Sequence, residues 1–327
     1  MTIVITGAAG MIGSGIIRHL NDQGIFNLLL VDDLENSDKW KNLVGKQFID
    51  IISKNQLLNW LNENKNGVRA IFHMGACSDT VETDADFLLE NNYRYTIRLA
   101  EWALHENVRF IYASSAATYG NGEVGFDDDE STLETLKPLN MYAFSKHLVD
   151  LWMKRRGVLN KVVGLKYFNV FGPNEYHKKH MASMVLKMTH KAQNEGVIHL
   201  YKSNHQKYLH GGQMRDFIYV KDAVKMTCAL LDPEFQHVCG IYNIGQGRPT
   251  TWNILAESLF KALQKRANIE YIDMPHQLAR QYQNYTCATM SKLHTALSSN
   301  PAYISTLPVE HAVEEYVQQY LTKGARW

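Results

Sequence analysis

Thr6-Gly7-Ala8-Ala9-Gly10-Met11-Ile12-Gly13 lies between a short apolar run, Ile3–Thr6, and an amphipathic one, Met11–Gln23. Gly7 permits a tight turn, Gly10 lets the backbone approach a pyrophosphate, and Gly13 allows strand and helix to pack closely. The helix that follows offers free N–H groups and the positive end of its dipole to an anion. Such a glycine triplet often serves packing alone. Here it follows a strand and opens a helix, and an acid, Asp32 with Asp33 beside it, stands at the end of the second strand about 20 residues on. Together these mark a dinucleotide-binding turn, with Gly7, Gly10, Met11, Ile12 and Gly13 on the cofactor.

Outward from that turn, short apolar runs alternate with helical patterns. Strands are expected at Ile3–Thr6, Leu28–Asp32, Phe48–Ile51, Ala70–His73, Phe110–Ser114 and Val162–Phe168, and helices at Met11–Gln23, Asn55–Glu63, Tyr93–Glu106 and Met141–Arg156. Fully apolar strands alternating with helices predict an α/β fold, a Rossmann-type doubly wound parallel sheet covered on both faces. After Gly172-Pro173 the pattern changes. A basic helical stretch at Met181–Glu195 precedes a strand at Ile198–Tyr201, a polar loop at Lys202–Gln213, strands at Phe217–Val220 and Ile241–Ile244, and helices at Trp252–Leu263 and Val309–Leu321. Residues 1–172 thus read as the dinucleotide-binding domain, with returns at about 214–245 and 283–292, and 173–327 mainly as a smaller α/β substrate-binding lobe.

Composition narrows the class. The 327 residues are 45% hydrophobic and 20% charged with a net charge of +1, so no global field recruits nucleic acid or an anionic membrane. No apolar run approaches the length of a membrane span, and the N-terminus has no basic region ahead of an apolar one. Cys77, Cys228, Cys239 and Cys287 are scattered and never spaced as CxxC, which argues against a metal site and suits a reducing cytoplasm.

The chemistry is concentrated in Tyr142-Ala-Phe-Ser-Lys146, whose Tyr and Lys share a helix face at i, i+4. A neighbouring ammonium favours the phenolate, which lowers a phenol's pKa toward neutrality and makes it a usable acid–base. YxxxK alone is common. Its weight comes from following Tyr112-Ala-Ser-Ser-Ala-Ala-Thr-Tyr-Gly120, which places Ser114 and Ser115 at the carboxyl end of a parallel strand, where such sheets bind ligands. One of the two serines, taken as Ser115, is expected to face a reacting alcohol or carbonyl. Asp32 favours NAD through a ribose diol, whereas Lys39 and Lys54 suit the 2′-phosphate of NADP; the residues leave the choice open.

TGAAGMIG, His73-Met-Gly-Ala-Cys-Ser78, YASSAATYG, YAFSK and Tyr167-Phe-Asn-Val-Phe-Gly-Pro173 resemble the extended short-chain dehydrogenases/reductases. Asn91-Asn-Tyr93, FNVFGPNEYHK through Lys178, Met181-Ala-Ser183, Arg215-Asp-Phe-Ile-Tyr-Val220 and Tyr282-Gln283 bring the resemblance closer, to the ADP-L-glycero-D-manno-heptose 6-epimerases, over nearly the whole chain. The resemblance implies a bound NADP that takes hydride from carbon 6 and returns it on the opposite face, with Tyr142 and Lys178 as acid–base groups. Lys146 would grip the ribose and Ser115 would assist. It puts Asp32, Asp33, Lys39, Lys54, Met74, Gly75, Ala76, Cys77, Ser78, Asn91, Lys146, Val170 and Lys178 at the cofactor. Ser115, Asn169, His180, Lys187, Tyr201, Arg215 and Tyr282 would lie at the ADP-sugar. It further implies a homo-oligomer, reported as a pentamer.

Lys178 has a plainer alternative, a solvated or phosphate-facing patch with His177, Lys179 and His180. Two features depart from the family: Lys202–Met214 carries roughly six extra residues, and His180 and Lys187 stand where smaller or neutral residues are usual. The rivals are a 4-epimerase, reductase or 4,6-dehydratase on the same scaffold, and a non-catalytic NADP-binding module. Ala116, Ala117 and Thr118 occupy the positions where a dehydratase needs carboxylates.

Overall fold

The computed structural model describes residues 1–279 and 282–327. Strands β1 (Thr2–Thr6), β2 (Leu28–Val31), β3 (Asp50–Ile52), β4 (Val68–His73), β5 (Arg109–Ser115) and β6 (Val162–Tyr167) join a later strand, Gly240–Ile244, in one seven-stranded sheet. Every pairing in it is parallel. The spatial order from one edge is Gly240–Ile244, β6, β5, β4, β1, β2, β3, so the chain direction of winding reverses between β1 and β4. Ligands bind above the strand ends at such a reversal.

Side-chain alternation explains why the sheet is covered on both faces. Ile3 and Ile5 of β1, Leu28 and Leu30 of β2 and Ile111 of β5 pack into one core with the helix Met11–Asp22. Val4, Leu29 and Val31, with Phe110 and Tyr112, pack into another with Leu57, Leu61, Leu99 and Met153 from the helices Lys54–Glu63, Tyr95–His105 and Met141–Arg155. Each fully buried Leu or Ile contributes about 1.5–3 kcal/mol of transfer free energy, so the strands' apolar character itself demands two helical layers. The doubly wound fold read from the sequence is the one observed.

Two smaller sheets complete the molecule. β7 (Asn169–Phe171) pairs parallel with β9 (Met214–Tyr219), which pairs antiparallel with β11 (Pro249–Thr251). β8 (Ile198–Tyr201) pairs parallel with β12 (Ile269–Ile272). Of the stretch 214–245, only β10 (Gly240–Ile244) enters the large sheet; between it and β9 the helix Val220–Ala229 packs on Met11–Asp22. The expected strand at Phe217–Val220 therefore ends at Tyr219, and Val220 begins a helix. The expected helix at Met181–Glu195 starts later, at Met184, capped by the Ser183 hydroxyl, and Tyr176–Met181 forms 3-10 turns instead. The Tyr93–Glu106 helix is regular only from Tyr95, because Leu89–Arg94 winds as a π-helical turn. No helix among the described residues is long and apolar enough to cross a membrane.

Candidate active site

A cleft of about 560 Å³ opens above the carboxyl ends of β1, β2, β4 and β5. Its floor is the glycine-rich turn. Gly7 has φ +63°, and a Cβ there would come within 2.7 Å of the Gly75 backbone. A Cβ at Gly13 would run into the Gly7 carbonyl. Side chains at either position would fill the space a diphosphate needs or push helix from strand. Gly10 caps the helix with no side-chain hydrogen bond, and Met11, Ile12 and Gly13 line the cleft, so the helix end remains free for an anion.

The far wall carries the acids. Asp32 Oδ2 accepts from the Ala9 N–H at 2.8 Å, and Asp32 Oδ1 accepts from Lys39 Nζ at 2.8 Å. Asp33 accepts from the Ser53 hydroxyl at 2.9 Å, while Lys54 Nζ donates to Asn91 Oδ1 at 2.8 Å. A dinucleotide fits this arrangement: a glycine cradle and an uncapped helix would take phosphate, and a carboxylate with two ammonium groups stands further along the same cleft.

At the other end of the cleft stand Ser115, Tyr142, Lys146 and Lys178. The two serines divide their roles through β5. Ser114 Oγ donates to the fully buried Asp150 at 2.7 Å, which leaves Ser115 as the hydroxyl beside Tyr142. Burial raises the Tyr142 phenol above its ordinary value, with Ser115 pulling it partly down. That is the reverse of the lowering expected from YxxxK. Burial sets that direction, and Lys146, 3% exposed, donates its Nζ to the Ala113 carbonyl at 2.6 Å. Burial brings that ammonium down to about 8, against the opposing charge of Asp150. Burial likewise lowers Lys178, against the pull of Glu175. Two amines with depressed pKa values and a phenol thus share one cleft, the kind of setting in which protons move near neutral pH.

A second group forms around Arg215, which is 8% exposed. Its guanidinium lies 5.0 Å from the ring centre of Tyr282 and 5.7 Å from that of Trp252. The Trp252 indole donates to the Tyr282 hydroxyl at 2.9 Å, and Tyr201 meets Tyr282 edge-on at 6.4 Å. An always-charged planar cation packed beside two aromatic rings keeps its forked donors in order for an anion.

Residues 3–245 match the NAD dependent epimerase/dehydratase family. The chain belongs to that family. It is 48% identical over 320 residues to the ADP-L-glycero-D-manno-heptose-6-epimerase of Nitratidesulfovibrio vulgaris (strain DP4), with 97% of each chain covered. To the enzyme of the same name from Fusobacterium nucleatum it is 42% identical over 332 residues, with 98% of each covered. Among solved structures, the Helicobacter pylori ADP-L-glycero-D-manno-heptose-6-epimerase superposes with a TM-score of 0.78 at 27% identity, covering 97% of this chain and 95% of that one. The Thermotoga maritima UDP-glucose 4-epimerase, at 21% identity and TM-score 0.77, shares the fold.

In this epimerase/dehydratase-family chain the expected cofactor residues converge. Met74, Gly75, Ala76, Cys77, Ser78, Asn91 and Val170 line the same cleft as the glycines, Asp32, Asp33, Lys39, Lys54, Lys146 and Lys178. The expected sugar-side residues divide. Tyr201, Arg215 and Tyr282 come together, and Asn169 stands exposed on β7 beside Val170. His180 instead pairs with Asp79 at 2.9 Å, and Lys187 Nζ bonds the His180 carbonyl. Those contacts tie His180 and Lys187 to each other and to Asp79, on the Met181 side of the cleft. Phe87, Tyr95, Tyr167, Phe168, His177 and Met181 also line the cleft, and Trp252 completes the aromatic box; of these the sequence offered Tyr167, Phe168 and Met181 only within family motifs and His177 only as a neighbour of Lys178. Trp252 carried one usable signal, its place directly after the helix cap Thr251.

Proposed function

We propose that this chain interconverts ADP-D-glycero-D-manno-heptose and ADP-L-glycero-D-manno-heptose by transient oxidation at carbon 6, supplying the L-glycero form for lipopolysaccharide core. The observation that carries the reading is the whole-length 48% identity to an enzyme of that name. The presence of Tyr142 and Lys178 in one cleft supports it. A bound NADP would supply the hydride acceptor and donor. Lys39 and Lys54 support NADP over NAD, since their ammonium groups stand beside Asp32 and Asn91 in the cleft and would meet a 2′-phosphate on a ribose bound at Asp32.

The chain's own groups handle the protons. Lys178, whose amine is lowered from the ordinary lysine value by burial, serves one presentation of the exocyclic hydroxyl. Tyr142 serves the other. Its raised pKa keeps the phenol protonated, ready to donate to an alkoxide forming on the sugar. Ser115 hydrogen-bonds the reacting oxygen, and Lys146 orients the cofactor's ribose. Residues 1–172 with later returns hold the cofactor, and 173–327 hold the nucleotide sugar through Asn169, Tyr201, Arg215 and Tyr282, with His180 and Lys187 at its margin. Assembly as a homo-oligomer, a pentamer by family resemblance, and residence in the cytoplasm complete the proposal. Exposed Trp40, Val44 and Ile49 offer apolar surface for assembly.

The test is proton NMR of ADP-D-glycero-D-manno-heptose with purified protein and no added cofactor. Appearance of the L-glycero epimer is the expected result. No conversion, even with added NADP and NAD, would move the assignment to another nucleotide sugar, UDP-hexoses first. Tyr142→Phe should abolish turnover while the cofactor stays bound; an unchanged biological role in that variant would favour a binding module over an enzyme.

A further inference from the structure

Beneath the glycine-rich turn two asparagines meet that have no part in the chemistry above. Asn174 is fully buried and adopts φ +73°. Its Nδ2 donates to Ser14 Oγ at 3.0 Å and to the Trp327 carbonyl at 2.8 Å, and its Oδ1 accepts from the Trp327 N–H at 2.9 Å. Asn42, 1% exposed, spends both amide protons on backbone: one on the Asn174 carbonyl at 2.9 Å, the other on the Ala9 carbonyl at 2.9 Å. Ala9 belongs to the dinucleotide turn and Ser14 to the first turn of its helix. Residue 174 is therefore tied on two sides to the element that places the cofactor.

Asn174 lies four residues before Lys178, whose N–H bonds the Glu175 carbonyl at 2.9 Å. The buried Glu175 carboxylate in turn accepts from the Ser183 N–H at 2.5 Å, the Ser183 hydroxyl at 2.7 Å and the Tyr316 hydroxyl at 3.0 Å. This segment winds only as short 3-10 turns, and they are broken at the next residue, Lys179, with φ +49°. An amine on a flexible side chain acts at a fixed atom only when its backbone is fixed, and a misplacement of about 1 Å costs on the order of 10²-fold in rate.

We propose that Asn174, held by Asn42, is a positioning residue that sets the Lys178 segment in register with the dinucleotide turn. The inference rests on Lys178 as an acid–base group. Asparagine suits the place twice: it tolerates positive φ, and its amide bridges two elements. Glycine keeps the first property and lacks the second, so Asn174→Gly isolates the amide.

Asn174→Gly, Asn42→Ala and Lys178→Met would be compared as holoenzymes for kcat, KM, the pH profile of kcat, retained cofactor and Tm, with ADP-D-glycero-D-manno-heptose as substrate. Lys178→Met should lose about 10²–10⁴-fold in kcat. Asn174→Gly and Asn42→Ala should lose about 10–100-fold in kcat, with KM changed little and cofactor retained. The pH limb carried by Lys178 should move up toward the ordinary lysine range, because water admitted to a loosened segment relieves its burial. An inactive Lys178→Met beside an Asn174→Gly of normal kcat overturns the inference alone. A lower Tm with an unmoved pH profile also overturns it, since that is the mark of a purely structural role. An active Lys178→Met refutes the acid–base reading itself and the inference with it. Asn42→Ala leaves residues 172–178 unaltered in sequence and decides the matter if Asn174→Gly fails to fold.

Discussion

Asp150→Asn probes the dry polar cluster behind the active-site strand. Asp150 Oδ2 lies 2.7 Å from Lys166 Nζ, and the two side chains are 0% and 1% exposed. The carboxylate also accepts from Ser114 Oγ at 2.7 Å and from the Tyr112 hydroxyl at 3.0 Å. The ammonium has Thr118 Oγ1 at 2.6 Å and the face of Tyr119 at 4.9 Å. At this separation and an effective dielectric near 20, the attraction is about 6 kcal/mol, offset by the cost of drying both ions. Removing only the negative charge keeps the ammonium's desolvation and discards its compensation, so the loss of stability should be about 3–5 kcal/mol. The double variant Asp150→Asn/Lys166→Met, with no buried charge left, should regain most of it. Urea denaturation at pH 7 measures all three proteins. A loss below about 1 kcal/mol in the single variant would mean that the ammonium finds water or another partner, and the reasoning would fail. The change should also reach the site. Asp150 follows Lys146 by one helical turn and raises its pKa. Without that charge Lys146 falls below about 8, and the pH limb it governs should shift to lower pH.

Gly13→Ala places a methyl against the Gly7 carbonyl, a backbone atom that cannot yield without moving the turn. Cofactor affinity, followed by fluorescence titration, should fall at least about tenfold, and unchanged binding would contradict the close-approach reading. Arg215→Ala removes the cation from between Tyr282 and Trp252; calorimetry with ADP should show affinity lower by about 1.5–3 kcal/mol, as for a charge-assisted contact, whereas equal affinity would make Arg215 a packing residue. His73 is 1% exposed, and burial, then the Lys146 charge, holds it down at about 3. Between that value and the unfolded value near 6.5 only the unfolded chain takes up its proton, so stability present above pH 6.5 is lost as pH falls. The loss from this residue should be about 2 kcal/mol between pH 6.5 and 5. His177, held at about 4 by burial and then Lys178, acts in the same direction. Denaturation at the two pH values checks this, and a His73→Gln variant with an equally steep pH dependence would refute it.

The doubly wound sheet and the dinucleotide turn were readable because their causes are local. A four- or five-residue apolar strand must be covered on both faces, and only glycine allows the approaches at positions 7 and 13. The helix Met141–Arg155 was equally plain, with Asn140 capping it and Tyr142 and Lys146 on one face. Short strands were not readable: Asn169–Phe171 and Pro249–Thr251 have three residues each and exist only because Met214–Tyr219 lies between them. The π-helical turn at Leu89–Arg94 was hidden too. It surrounds Asn92, whose side chain bonds the Cys77 N–H at 2.9 Å, a contact 15 residues away.

At the site the division is sharper. Residue type and spacing named Tyr142, Lys146 and Ser115, because an i, i+4 pair and a strand end are properties of neighbouring residues. The direction of the Tyr142 shift is set by burial, which only the packed fold decides, and the Lys146 ammonium goes to the Ala113 carbonyl, 33 residues away. The sequence presents Lys166 as one polar residue in an apolar run; only the packed sheet shows that Asp150 neutralises it. Electrostatic environments are sums over groups that the fold, not the chain order, makes neighbours. Local pattern therefore decided which groups could do the chemistry, and tertiary packing decided their protonation and their register.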